Sequence, residues 1–156
     1  MRRIQMILAA AAAAATLAAC GRASNAGYAP GLGEFMTATQ ERHIKLWFAG
    51  RAGNWPLAAY ELDELREGFG DLVKLHPTWH GAPVPIKDIL PRLTRGPLED
   101  LGEAVQAHDK AAFTKAFDEL TNACNACHRA EKHAFNVIKR PASNPYPDQR
   151  FRPAPH

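Results

Sequence analysis

Residues 109–138, DKAAFTKAFDELTNACNACHRAEKHAFNVI, decide how this chain must fold. Phe113, Phe117, Leu120, Cys124, Cys127 with His128, Phe135 and Ile138 recur every three or four positions, the period of one face of an α-helix. Asp109 stands where a carboxylate can cap the first turn, and Pro141 stops the pattern, so the spacing predicts a helix from Asp109 almost to Pro141. Inside its apolar stripe lies Cys124-Asn125-Ala126-Cys127-His128. Positions i, i+3 and i+4 fall on one side of a helix, so both thiols and the imidazole face one flat ligand. C-x-x-C-H is the pattern of covalent haem attachment: each thiol adds across one vinyl group, and the neighbouring imidazole reaches the iron. A redox dithiol of the thioredoxin type would stand at a helix start, where the dipole lowers the thiol pKa. A zinc site would need a fourth ligand, usually from a second pair, and none is found.

The remaining cysteine belongs to the other end of the chain. MRRIQMILAAAAAAATLAAC opens with two arginines, continues through a short alanine-rich apolar run, and reaches Cys20 through small residues. It reads as a signal for export, residues 1–19, too short and too weakly apolar for a spanning helix of about 20 residues. Leu17-Ala18-Ala19-Cys20 resembles the bacterial lipobox, in which the signal is cut before the cysteine and that cysteine is acylated. Gly21 is not the aspartate that retains enteric lipoproteins at the inner membrane, which favours the outer membrane. Residues 20–32, rich in Gly, Ala and Ser, suit a flexible tether. One thiol thus goes to lipid and two to haem, and all three uses require an exported chain.

Between tether and motif, three further helices are expected. The first begins near Gly33, carries Phe35, Met36, Thr39, His43, Leu46 and Trp47, and ends in AGRAGN. Asn54 then caps a second, with Pro56 in its first turn and Leu57, Glu61 with Leu62, Leu65, Phe69 and Leu72 with Val73 on its stripe, up to Leu75. Its outer face is acidic, with Glu61, Asp63, Glu64, Glu67 and Asp71. Residues 76–85 form a loop. Pro91 and Pro97 interrupt the third, so a short helical piece followed by a helix from Pro97 to His108 is expected. No segment alternates like a strand. The expected architecture is therefore all-α: a four-helix up-and-down bundle over residues 33–140, with haem attached to the last helix and a Pro-rich tail over 141–156.

The composition excludes several classes. Of 156 residues, 46% are hydrophobic and 22% charged, as in a globular domain. The formal charge of +3 includes Arg2 and Arg3, so the mature chain carries about +1, without the concentrated basic face a nucleic-acid binder needs. No catalytic base or substrate pocket can be named, so the chain is not read as an enzyme.

A four-helix chain with C-x-x-C-H on its terminal helix resembles the class II c-type cytochromes, the cytochrome c′ family. In class I proteins the motif comes early and a ligating methionine follows it; here no methionine follows Cys127. The resemblance implies one covalent haem c, held by Cys124 and Cys127 with His128 as axial ligand. It also places Met36 near the residue facing the sixth position of iron. Met36 is the only thioether of the mature chain and is the first candidate for that position; His43, seven residues on along the same stripe, is the second. A sixth protein ligand suits electron transfer, whereas an open position would bind nitric oxide or carbon monoxide. The function expected is electron transfer by a periplasm-facing monohaem lipoprotein of a bacterium. Its partners would be a redox protein and the membrane, with a homodimer as a further option and no nucleic acid. The alternatives are a gas-binding haem protein and an accessory haem subunit of a respiratory complex.

Overall fold

The computed structural model describes residues 28–155; the expected signal, Cys20 and most of the expected tether lie outside them. Four helices follow one another: α1 over Leu32–Ala52, α2 over Trp55–Leu75, α3 over Ile86–Gln106 and α4 over Lys110–Ala130. Each packs on the next and α4 returns against α1, which makes the chain an all-α four-helix bundle with no strand among the described residues. Short-range chemistry sets the corners. Gly53 takes a left-handed φ of 73° after α1, a conformation glycine adopts without a Cβ penalty. Asn54 Oδ1 accepts the Leu57 N–H at 3.4 Å, and Asp109 accepts from the N–H groups of Ala111 and Ala112 at 2.8 and 3.0 Å. Both caps stand where the sequence places them.

The core is a continuous apolar cluster that includes Leu46, Trp47, Leu62, Leu65, Leu72, Leu101, Phe113, Phe117 and Leu120. The seam between α1 and α4 is held mainly by side chains. Trp47 packs on Phe117 with centroids 4.8 Å apart, and one turn away the His43 imidazole lies 4.3 Å from the same ring. Phe113 presses against Gly50, where an added Cβ would stand 2.2 Å from the ring.

Four details depart from the sequence expectation. α3 is a single helix running through Pro91 and Pro97. Its buried face, from Ile86 through Ile89, Leu90, Thr94, Leu98 and Leu101 to Val105, is unbroken. That burial outweighs the hydrogen bonds the two prolines cannot donate, and Gly96, lacking Cβ, relieves the crowding ahead of Pro97. α4 stops at Ala130, about ten residues short of Pro141. Lys132 turns left-handed at φ 61°, the His133 N–H closes on the His128 carbonyl at 2.6 Å, and Phe135 is left exposed. Glu61, which the sequence sets on the inner stripe and also counts with the acidic face, is inside the bundle only, with its carboxylate 3.2 Å from the Arg42 guanidinium. Burial raises the Glu61 pKa above the ordinary carboxylate value, and Arg42 opposes that rise. Finally, the Pro-rich tail lies on the bundle: Phe151 is buried against Phe48 at 5.5 Å, and Lys45 sits 4.9 Å over the Tyr146 ring. None of the described helices is long and apolar enough to cross a membrane.

The Gly50 contact yields a paired test. Gly50→Ala should destabilise the fold by about 1–3 kcal/mol in urea unfolding, because overpacking against Phe113 exceeds the gain in helix propensity. Gly68→Ala in α2, where an added Cβ meets nothing within 4 Å, should instead stabilise by up to about 1 kcal/mol.

Candidate functional site

Alternation of the helices brings the start of α1, the end of α2, the start of α3 and the end of α4 to one end of the bundle. Cys124, Cys127 and His128 occupy the last two turns of α4 at that end. All three are partly buried, and both cysteines are free thiols. Burial pushes the Cys124 thiol up to about 12, with a further rise from Cys127, and the Cys127 thiol up to about 11, with a further rise from the Glu131 carboxylate. Both are therefore protonated at neutral pH, the opposite of the activated thiolate that disulfide exchange requires.

The His128 ring is oriented from behind. Its Nδ1 lies 2.7 Å from the Asn136 backbone carbonyl. A carbonyl oxygen only accepts, so Nδ1 carries a proton, and in the neutral ring the lone pair is then on Nε2, the tautomer a metal ligand needs. Asn136 is held there by Asn125, the first residue between the two cysteines. The Asn125 amide donates to the Ile138 carbonyl at 2.8 Å, and its oxygen accepts the Ile138 N–H at 2.8 Å. Arg140 extends the same strap, pairing with Asp118 and covering the Trp47 ring at 4.7 Å.

On α1, the two candidates for the sixth position meet different surroundings. His43 is 3% exposed, and its Nε2 is 2.8 Å from the Thr121 hydroxyl. Thr121 in turn donates to the Phe117 carbonyl at 2.9 Å, so Nε2 of His43 is the donor and is engaged within the seam. Burial pushes its pKa down to about 4, which keeps the ring neutral. Met36 lies seven residues before His43, and His128 seven residues after Thr121. The antiparallel register fixed by the His43–Thr121 contact therefore sets Met36 level with His128, two turns nearer the open ends of both helices. Met36 is half-buried against the core. Of the other histidines, His76 is taken by the Pro30 carbonyl at 2.8 Å and His133 by the Glu131 carbonyl at 2.7 Å.

Among the described residues no group of three His, Cys, Asp or Glu side chains stands together to hold a metal ion. What fits a covalent porphyrin is the donor set itself: two free thiols one turn apart and the adjacent imidazole, on one face of α4. Glu131, one turn after Cys127, is only 6% exposed and has no hydrogen-bond partner on either carboxylate oxygen; a haem edge carries no donor for it.

Asn125, Glu131 and Asn136 have no signature in the sequence. A backbone carbonyl carries no residue code, and the side chain of Asn125 is informative only once Ile138 has folded back over it. No family model, no curated protein and no solved structure matches this chain. Its class is accordingly defined by the molecule alone: an all-α four-helix bundle with two thiols and an oriented imidazole on one face of its last helix.

Two measurements probe this end of the seam. Unfolded, the His43 ring binds a proton near pH 6.5; folded, it does so only near pH 4. In that window the unfolded chain binds more protons, so stability falls as pH drops, by on the order of 3 kcal/mol across it. His43→Gln should flatten that slope in urea titrations run between the two pH values. Asn125→Ala, which removes both bonds to Ile138, should cost about 1–3 kcal/mol in the same assay.

Proposed function

We propose that this protein is a monohaem c-type electron carrier, a bundle of the cytochrome c′ kind tethered by lipid at Cys20 and facing the bacterial periplasm. The observation that carries this reading is the state of His128: Nδ1 is committed to the Asn136 carbonyl, and Nε2 is bare on the helix face that also holds two protonated thiols. A haem bound there supplies a one-electron Fe(III)/Fe(II) couple. Cys124 and Cys127 would anchor the ring through thioethers. His128 would be the fifth ligand, its angle set by the strap over residues 136–138, so that little moves when charge changes. Met36 is the residue for the opposite face, since its register matches His128 and His43 is already bonded to Thr121. A thioether in that position favours the reduced state and suits electron transfer over gas binding. The membrane and a redox protein are the proposed partners.

A pyridine haemochrome spectrum of protein matured with a cytochrome c assembly system should show one covalent haem per chain. The pair Cys124→Ser and Cys127→Ser should abolish it. The ferrous form should be low-spin and indifferent to carbon monoxide, and Met36→Ala should make it high-spin and carbon monoxide-binding. Low-spin iron in Met36→Ala would remove Met36 from the site, and carbon monoxide binding by the parent protein would replace electron transfer by gas binding.

A further inference from the structure

The end of the bundle that carries His128 also carries the most exposed apolar side chains of the C-terminal segment. Phe135 is 82% and Val137 70% exposed, and Trp79 projects from the loop between α2 and α3. Trp79 and Phe135 share one patch, bridged by His133, with Val137 two residues further along the chain. The Trp79 ring lies 5.1 Å from His133, and His133 lies 5.5 Å from Phe135. The exposed cations Arg129, Lys132 and Lys139 lie in the same segment of chain as Phe135 and Val137, and the exposed Lys87 lies at the start of α3. Of the acids at this end, Glu131 is buried and Asp71 is paired with Lys74, while Glu34, bonded to the neutral Tyr28 hydroxyl and the Gly31 N–H, keeps its charge. Asp88 remains beside Lys87. The balance is positive.

The patch is separate from the proposed haem site. Residues 133–138 pass behind the His128 imidazole, on its Nδ1 edge. The Asn136 carbonyl, between Phe135 and Val137 in the chain, meets the Nδ1 edge of the imidazole, whereas a haem would be held at Nε2.

We propose that this end of the bundle rests on an anionic phospholipid surface, with Trp79, Phe135 and Val137 entering the headgroup region and Arg129, Lys132 and Lys139 pairing with phosphates. Aromatic and aliphatic side chains ringed by Lys and Arg are the composition of interfacial membrane contacts. The second observation is where the chain leads. α1 begins at Leu32 at this same end, twelve residues after Cys20. Twelve residues span at most about 40 Å and typically about 20 Å when flexible, against about 32 Å for the length of a 21-residue helix. The end near Leu32 is the one the tether holds close to the lipid. The orientation rests on the proposed tether at Cys20; the lipid contact itself requires neither acylation nor haem.

The test is made with the mature chain from Gly21 onward, exported without an acyl anchor and matured to the holoprotein. It should co-sediment with phosphatidylglycerol–phosphatidylethanolamine vesicles, bind phosphatidylcholine vesicles far more weakly, and lose binding as salt rises. Each of Arg129→Gln, Lys132→Gln and Lys139→Gln should weaken binding about fivefold. Trp79→Ala combined with Phe135→Ala should weaken it tenfold or more without changing the far-ultraviolet circular dichroism. Equal affinity for both vesicle types, or variants that bind like the parent, would overturn the proposal. So would vesicles left unbound while an acidic protein docks on the patch. Colourless protein that still binds vesicles would sink the haem reading alone.

Discussion

The buried contact between His43 and Thr121 sets how α1 and α4 slide against each other, and the arrangement of the site follows from that register. A neutral imidazole donating to a hydroxyl inside an apolar seam has one good geometry, because any slip would strand a polar group away from water. Trp47 on Phe117 and Gly50 under Phe113 repeat the same alignment further along, so the seam is specified at three levels. Two turns beyond the polar contact, the same alignment sets Met36 level with His128.

The end of α4 is governed by a different constraint, the turn that folds residues 131–140 back over the helix. Lys132 in the left-handed region and the His133 N–H on the His128 carbonyl close the helix. Asn125 then fastens Ile138 in both directions, and Asn136 meets the imidazole. Orientation of His128 thus comes from a strap of the same chain and not from a neighbouring helix. The strap continues through Arg140, Tyr146 and Phe151, so the Pro-rich segment is part of the packed unit and covers the α1–α4 seam.

The thiols belong to this picture as well. Set into the apolar stripe of α4, Cys124 and Cys127 are desolvated, which raises their pKa values and disfavours disulfide exchange.

By itself the sequence determined the all-α class, the caps at Asn54 and Asp109, and the thiol–thiol–imidazole face of the last helix. Each of these is a local pattern, written in residues within a few turns of one another. The continuity of α3 through Pro91 and Pro97, the stop of α4 at Ala130, the burial of Glu61 and the docking of Phe151 were decided only by the tertiary structure. In each case burial against a distant segment outweighs the local preference, as when a shared apolar face carries α3 past two prolines. The different surroundings of Met36 and His43 have the same origin: both lie on one stripe of α1, and only the packing of that stripe on Thr121 and Phe117 shows that the histidine is bonded within the seam.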